Sequence, residues 1–160
     1  MSIRSLIVAG LFLALAGCQA DSGSQDAAVI AAAKAGYDAF ATGDMEAWAQ
    51  TQAPDSLWEM PKGFPYGGNY VGPQQVIDEV FNPIGELWPD FKVEPTAFHA
   101  TGNVVFIETK MTAGGVTSDS IHKAVSENGK YAAFQVYDDA GFMMAHSTAS
   151  GSIGKQYFED

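Results

Sequence analysis

Three histidines, a single cysteine and a surplus of carboxylates are the groups in this 160-residue chain with chemistry to offer. His99, His122 and His146 stand far apart, without metal-ligand spacing to cysteine or carboxylate. Ser147 follows His146 but lacks the setting of a nucleophile elbow. Gly67-Gly68 and Gly114-Gly115 sit in loop or hairpin contexts, with no following helix to cradle a phosphate. What remains is acid/base chemistry. His122 lies within one long strand pattern, and Asp138-Asp139 closes the next. Asn128-Gly129 between them is the strongest short hairpin signal, so the two strands pair antiparallel, in a register the sequence does not fix. Alternation along the last strand puts Tyr137 and Asp139 on one face and Asp138 on the other. A carboxylate desolvated in an apolar pocket has its pKa raised. It can then take a proton from carbon beside a carbonyl and return it. An imidazole can donate to the enolate oxygen, and Tyr37, Tyr66 or Tyr137 can add a phenolic donor. The plain alternative is that Asp138-Asp139-Ala140-Gly141 ends a strand and caps a turn, with His122 an ordinary core or surface histidine.

The elements that must position these groups follow from pattern. Ser22 with Gln25 fits a capping box, and Asp26 to Thr42 carries Val29, Ile30, Ala33, Tyr37 and Phe40 at helical spacing. Gly43 stops that helix, and Asp44 caps a second one over Met45 to Gln50. A short strand is predicted over Ser56 to Met60, then a loop from Pro61 to Asn69. Gly72-Pro73 opens a third helix, which Asn82-Pro83 breaks. The second half reads as strands over Phe91 to Ala100, Val104 to Met111, Val116 to Ser126 and Tyr131 to Tyr137. Helices first and a strand meander after predict an α+β fold, one curved antiparallel sheet with helices on its concave side. Aromatic residues are abundant, and most must be core. Trp58 and the loop aromatics Phe64 and Tyr66 are candidate ligand contacts, because a Gly/Pro loop can act as a gate. Equally, they can plug the open end of the fold. Glu59 and Glu108 lie in strands, where a solvated face is the simpler reading.

The first residues form a separate unit. Arg4, an apolar run from Leu6 to Ala16 and the small residues before Cys18 have the layout of a secretory signal. The run is too short to span a bilayer comfortably. Leu15-Ala16-Gly17-Cys18 resembles the lipobox of bacterial lipoproteins. The resemblance implies that Cys18 becomes a lipidated first residue, acylated with a chain such as palmitate, which leaves no thiol nucleophile and no disulfide. It also implies a protein tethered to a bilayer by its acyl anchor. Gln19, where an inner-membrane lipoprotein of the enterobacterial type has aspartate, points to the periplasmic face of the outer membrane. The expected organisation is a leader over 1–17, a lipidated cysteine and tether over 18–25, one domain over 26–150 and a tail over 151–160.

Charge excludes several classes of partner. The whole chain is at −11, with 8 basic against 19 acidic residues. Arg4 is the single arginine, so loss of the leader takes the charge to −12 and leaves only lysines. Nucleic acid and anionic headgroups are poor partners for such a surface. Bidentate guanidinium recognition of carboxylate or phosphate is also excluded.

Several segments resemble one known family. Tyr37-Asp38-Ala39-Phe40-Ala41-Thr42-Gly43-Asp44 is similar to the first helix of SnoaL-like proteins, in the nuclear transport factor 2-like superfamily. Pro54 to Glu59 resembles the segment after their second helix, and Phe64 to Gly72 their mouth loop. Glu127 to Lys130 and Tyr137 to Asp139 resemble their last hairpin. The likeness spans about Ala27 to Ala149. It implies a cone-shaped fold whose helices close a pocket lined by the sheet. Ketosteroid isomerases of the superfamily need a carboxylate base where Met60 stands here and a second, protonated Asp that would fall near Ile121, just before His122. The Asp-Arg-Asp set of epoxide hydrolases is impossible without arginine. The acid/base Asp and neighbouring His of polyketide cyclases fall on Asp139 and His122. The resemblance thus implies a pocket for a small apolar ligand lined by Tyr37, Trp58, Phe64, Tyr66 and Tyr137. It needs no cofactor and no metal. Alternatives are an acid/base isomerase, cyclase or lyase using Asp139 and His122, or an interaction module, since sheets of this superfamily often pair as homodimers.

Overall fold

A computed structural model describes residues 22–147. The expected leader over 1–17, the lipid site Cys18 and the tail over 151–160 lie outside the described residues. The described elements are α1 (Ser22–Ala41), α2 (Met45–Gln50), β1 (Gln52–Met60), β2 (Gly68–Val71), α3 (Pro73–Val76), α4 (Asn82–Leu87), β3 (Lys92–Thr101), β4 (Val104–Ala113), β5 (Val116–Glu127), β6 (Lys130–Tyr137) and α5 (Ala140–Ala145). Six strands form one curved, open sheet in the order β2-β1-β6-β5-β4-β3. The fold is α+β, as the pattern predicts.

The first helix begins at Ser22, so part of the expected tether is helical. No proline intervenes there, and Gly23 in a helix costs only about 1 kcal/mol against alanine. Val29, Ala33, Gly36 and Tyr37 form its buried stripe. The small residues let it lie close on β6. A Cβ at Gly36 would stand 3.2 Å from the Tyr131 ring, and the Tyr131 hydroxyl donates to the Ala33 carbonyl at 2.8 Å. Asp44 caps α2 through a bond from Ala47 N–H at 2.9 Å.

The sheet differs from the predicted meander at one edge. Strand β1 runs parallel to β6, and β2, whose first two residues fall in the segment expected to be loop, pairs antiparallel with β1. Strand β1 starts four residues early because its register with β6 shifts between Gln52 and Leu57. Pro54 sits in that gap, where its missing N–H is not needed. Asn82-Pro83 does not break the third helix either. A wide π-helical turn over Ile77–Phe81 carries the chain on, and Asn82 N–H bonds to Ile77 oxygen. Pro83 then falls in the first turn of α4, where a proline costs no hydrogen bond. Val76, Val80, Ile84 and Leu87 are buried along this continuous element.

The far end is tied by loops. Asp90 accepts hydrogen bonds from Gly114 N–H (2.8 Å) and Gly115 N–H (2.9 Å), at the β4–β5 turn. Those bonds hold its carboxyl below the usual range. Gly114 has φ +57°, and a Cβ there would collide with the His146 carbonyl oxygen. Only glycine lets the end of α5 rest on that turn. Among the described residues, no helix is long and apolar enough to cross a membrane.

Candidate functional site

The concave face of the sheet carries a ladder of aromatic rings. Trp58 of β1 stacks on Phe134 of β6, centroids 4.1 Å apart, and Trp48 and Phe81 meet Trp58 edge-on. Trp58 is fixed by its indole N–H, which donates to Gln52 Oε1 at 3.0 Å. Phe134 in turn touches His122 and Tyr131. Between this ladder and α1 lies a cavity lined almost wholly by apolar atoms, among them Phe40, Met60, Met111 and Val136. Its free volume is about 60 Å³. At ~10–15 Å³ per water, that holds roughly four waters or one slim small molecule.

Polar groups enter this cavity at a few points. His122 is 5% exposed, and its Nδ1 lies 2.6 Å from the Tyr37 hydroxyl. Its Nε2 is buried without a partner. Burial pushes the imidazole pKa down from 6.5 to about 3, so at neutral pH the ring is uncharged. Burial raises the pKa values of Tyr37, Tyr66 and Tyr131, so all three remain neutral phenols. Asp138 also lines the cavity. Its Oδ1 accepts from Asp139 N–H at 2.8 Å, and its Oδ2 is buried without a partner. Burial raises its pKa, the bond from Asp139 N–H opposes that, and the Asp139 charge adds to it. His122 pairs with Val136 across the strands. Asp138, two residues further on the same face, is a diagonal neighbour, a spacing of roughly 7–8 Å.

Tyr37, Trp58, Phe64, Tyr66 and His122 all line the cavity, as expected. Tyr137 and Asp139 do not. Tyr137 is 49% exposed on the outer face, its hydroxyl bonded to Gln135. Asp139 is exposed and caps α5, accepting from Phe142 N–H at 2.9 Å. The pocket carboxyl is Asp138, the residue expected to face away. Alternation holds as expected, with Tyr137 and Asp139 on one face and Asp138 on the other, but the inward face is the one that carries Phe134 and Val136. A register irregularity between Val125 and Ser126 lies upstream, opposite Tyr131 and Ala133. Tyr131 points inward, the phase slips at Ala132, and Phe134, Val136 and Asp138 become the inward set. The signal for this was the apolar Phe134-x-Val136 pair. The resemblance favours the other face, that of Tyr137 and Asp139.

The mouth is shut. Phe64 and Tyr66 are each 4% exposed. They stack on each other at 4.9 Å and stand edge-on to Trp88. The Asp138 carboxylate is one cause of the raised Tyr66 pKa, which places the mouth loop beside the pocket acid. Helix α5 closes over this loop, with Gly63 directly against Ala140 and Met143 and Met144 buried beneath. Asp139→Ala is therefore expected to cost about 1 kcal/mol of stability through the lost cap. Urea unfolding checks this; a loss below a few tenths would show that α5 does not depend on its cap.

A family model described as the SnoaL-like domain matches residues 33–139, from within α1 to the cap of α5. No curated protein matches the sequence. Among solved structures, an NTF2-like protein of unknown function from Burkholderia pseudomallei K96243 is 23% identical with TM-score 0.68, covering 76% of this chain and 98% of that one. TerC, co-crystallised with polyporic acid, is 24% identical with TM-score 0.65, covering 74% and 97%. A putative polyketide cyclase from Sinorhizobium meliloti is 16% identical with TM-score 0.59, covering 67% and 94%. At these identities the likeness is one of fold.

Proposed function

This chain belongs to the SnoaL-like domain family, and from that premise we propose that it binds a small, mostly apolar molecule in the cone between α1 and the sheet. The observation that carries this reading is that two residues lining a mostly apolar cavity, His122 and Asp138, each carry a buried atom without a partner, Nε2 and Oδ2. Buried polar atoms without partners each cost about 1–3 kcal/mol. A molecule with an apolar body and one polar end recovers that cost. The solved relative co-crystallised with polyporic acid supports a small-molecule pocket in this fold. Extraction of the purified protein followed by mass spectrometry tests the reading. One apolar species held near one-to-one is expected. No retained species, together with no rise in melting temperature across a panel of small apolar carbonyl compounds, would contradict it.

Acid/base turnover is a second reading, favoured by the raised pKa of a carboxyl that lines the same pocket as a neutral imidazole. Asp138 would take a proton from carbon next to a carbonyl and return it at another position, while His122 holds the carbonyl oxygen. An isomerase, cyclase or lyase all use that step. Asp139 has no part in it.

The leader sequence supports a location for this pocket in the cell envelope. Leu15-Ala16-Gly17-Cys18 supports lipidation at Cys18 and an anchor in the outer membrane facing the periplasm. Cys18→Ser should move the protein from the membrane to the soluble fraction; an unacylated intact mass for the wild type would sink the idea. Phe106, Ile121 and Tyr137, exposed on adjacent strands of the outer face, support homodimerisation through the sheet.

A further inference from the structure

The hydrogen bonds around His122 decide what kind of polar group the pocket receives, given that it binds a small molecule at all. Among the described residues the Tyr37 hydroxyl has one hydrogen-bond partner, His122 Nδ1 at 2.6 Å. The nearby Tyr131 hydroxyl is turned to the Ala33 carbonyl. A neutral imidazole carries one N–H, so two arrangements exist. With the proton on Nδ1, that nitrogen donates to the Tyr37 oxygen. The Tyr37 O–H then has no acceptor, and the Nε2 lone pair has no donor. Two buried groups are orphaned. With the proton on Nε2, Tyr37 O–H donates to Nδ1, and Nε2–H is the one group left over. Each orphan forfeits a buried hydrogen bond, so the second arrangement is favoured. The ring lies 14° from parallel with Tyr37, centroids 6.0 Å apart and joined edge to edge by that hydrogen bond, and it makes an edge contact with Phe134.

We infer that Tyr37 is a positioning residue that locks His122 in its Nε2–H tautomer, so that the pocket presents a hydrogen-bond donor and selects apolar molecules with an acceptor oxygen, such as ketones. A ligand offering only a donor at that point, an amine or an N–H heterocycle, meets a donor and is disfavoured. The neutral ring supplies this donor without placing a cation in an apolar site.

Two arms test the inference on the full chain. In the first, ¹⁵N NMR of the imidazole reads the tautomer with no ligand present. Protonated Nε2 and bare Nδ1 are expected in the wild type, and Tyr37→Phe should let the Nδ1–H form gain population. A wild type protonated on Nδ1, or a tautomer unmoved by Tyr37→Phe, overturns the inference; a purely structural Tyr37 gives that second result. In the second arm, the probes are cyclohexanone and methylenecyclohexane, which differ by oxygen against methylene at one position. The wild type should prefer the ketone by about tenfold or more, and Tyr37→Phe should shrink that preference. Equal affinities overturn the inference but leave the binding reading standing. If neither probe binds, the retained-species and melting-temperature tests decide the binding reading, and the tautomer arm alone upholds or overturns the role of Tyr37.

Discussion

Acidification from neutral pH towards pH 3 is expected to destabilise this protein steeply, and His122→Gln should remove most of that slope. The reason is linkage between folding and protonation. In the unfolded chain His122 titrates near 6.5, whereas burial in the fold holds it near 3. Between those values the unfolded state carries the proton and the folded state does not, so stability falls as pH falls. The stabilisation is complete above about 6.5 and lost towards 3. Each pH step of one between those limits removes about 1.36 kcal/mol, so the whole loss is on the order of 5 kcal/mol. Asp138 acts in the opposite sense. Its folded pKa is raised above 3.8, so the folded state takes up its proton more readily and gains stability as pH falls through that pKa. The net loss in the wild type is correspondingly smaller. Asp90, with its pKa lowered, loses its contribution only below the usual carboxylate range. Urea unfolding midpoints at pH 7, 5.5 and 4 for wild type and His122→Gln isolate the histidine. Parallel losses in the two proteins would show that His122 is not held neutral.

Replacing Asp138 by asparagine should separate chemistry from binding. The amide oxygen can keep the bond from Asp139 N–H, so the end of β6 is expected to hold its shape. Relief of a partly desolvated charge should raise stability at neutral pH by on the order of 1 kcal/mol, kept small because the carboxyl retains some solvent contact. Proton transfer is another matter, since removing a general base typically costs about 10²–10⁴ in rate. Exchange of the α-protons of cyclohexanone for deuterium, followed by NMR, reads this directly. If the acid/base reading is right, the wild type accelerates exchange, Asp138→Asn loses that acceleration, and Asp139→Asn keeps it. Asn is as good a helix cap as Asp, so the second variant perturbs only the charge outside the pocket. No acceleration by the wild type would leave the protein a binder. Equal losses in both variants would contradict the assignment of Asp138.

The fold was legible because its signals are local. Gly43-Asp44, Gly114-Gly115 and Asn128-Gly129 all mark real boundaries, and Asn128 and Gly129 have the positive φ values such a hairpin demands. The first-helix stripe through Ala33 and Tyr37 followed from periodicity. What stayed hidden depended on distant partners. The pairing of β1 with β6 in parallel joins residues some 75 apart, and the π-turn at Ile77–Phe81 reconciles Pro83 with a continuous helix only by packing Val76, Val80 and Ile84 inward. The site suffered from the same blindness. Alternation separated Asp138 from Tyr137 and Asp139 correctly, but it does not say which face turns inward. The resemblance chose the face of Tyr137 and Asp139, and packing against α1 selects that of Phe134, Val136 and Asp138. Helix α5 was missed because Ala140 to Ala145 is too short to show periodicity.

The central claim is that the cone, and no other surface, is where a small molecule binds. NMR shift mapping of the isotope-labelled protein during a cyclohexanone titration tests it most directly. The predicted result is saturable movement of the Trp58, His122, Phe134 and Val136 signals, with Phe64 and Tyr66 following as the mouth opens and Asp139 unmoved. Shifts confined to Phe106, Ile121 and Tyr137 on the outer face, or none that saturate, would contradict it.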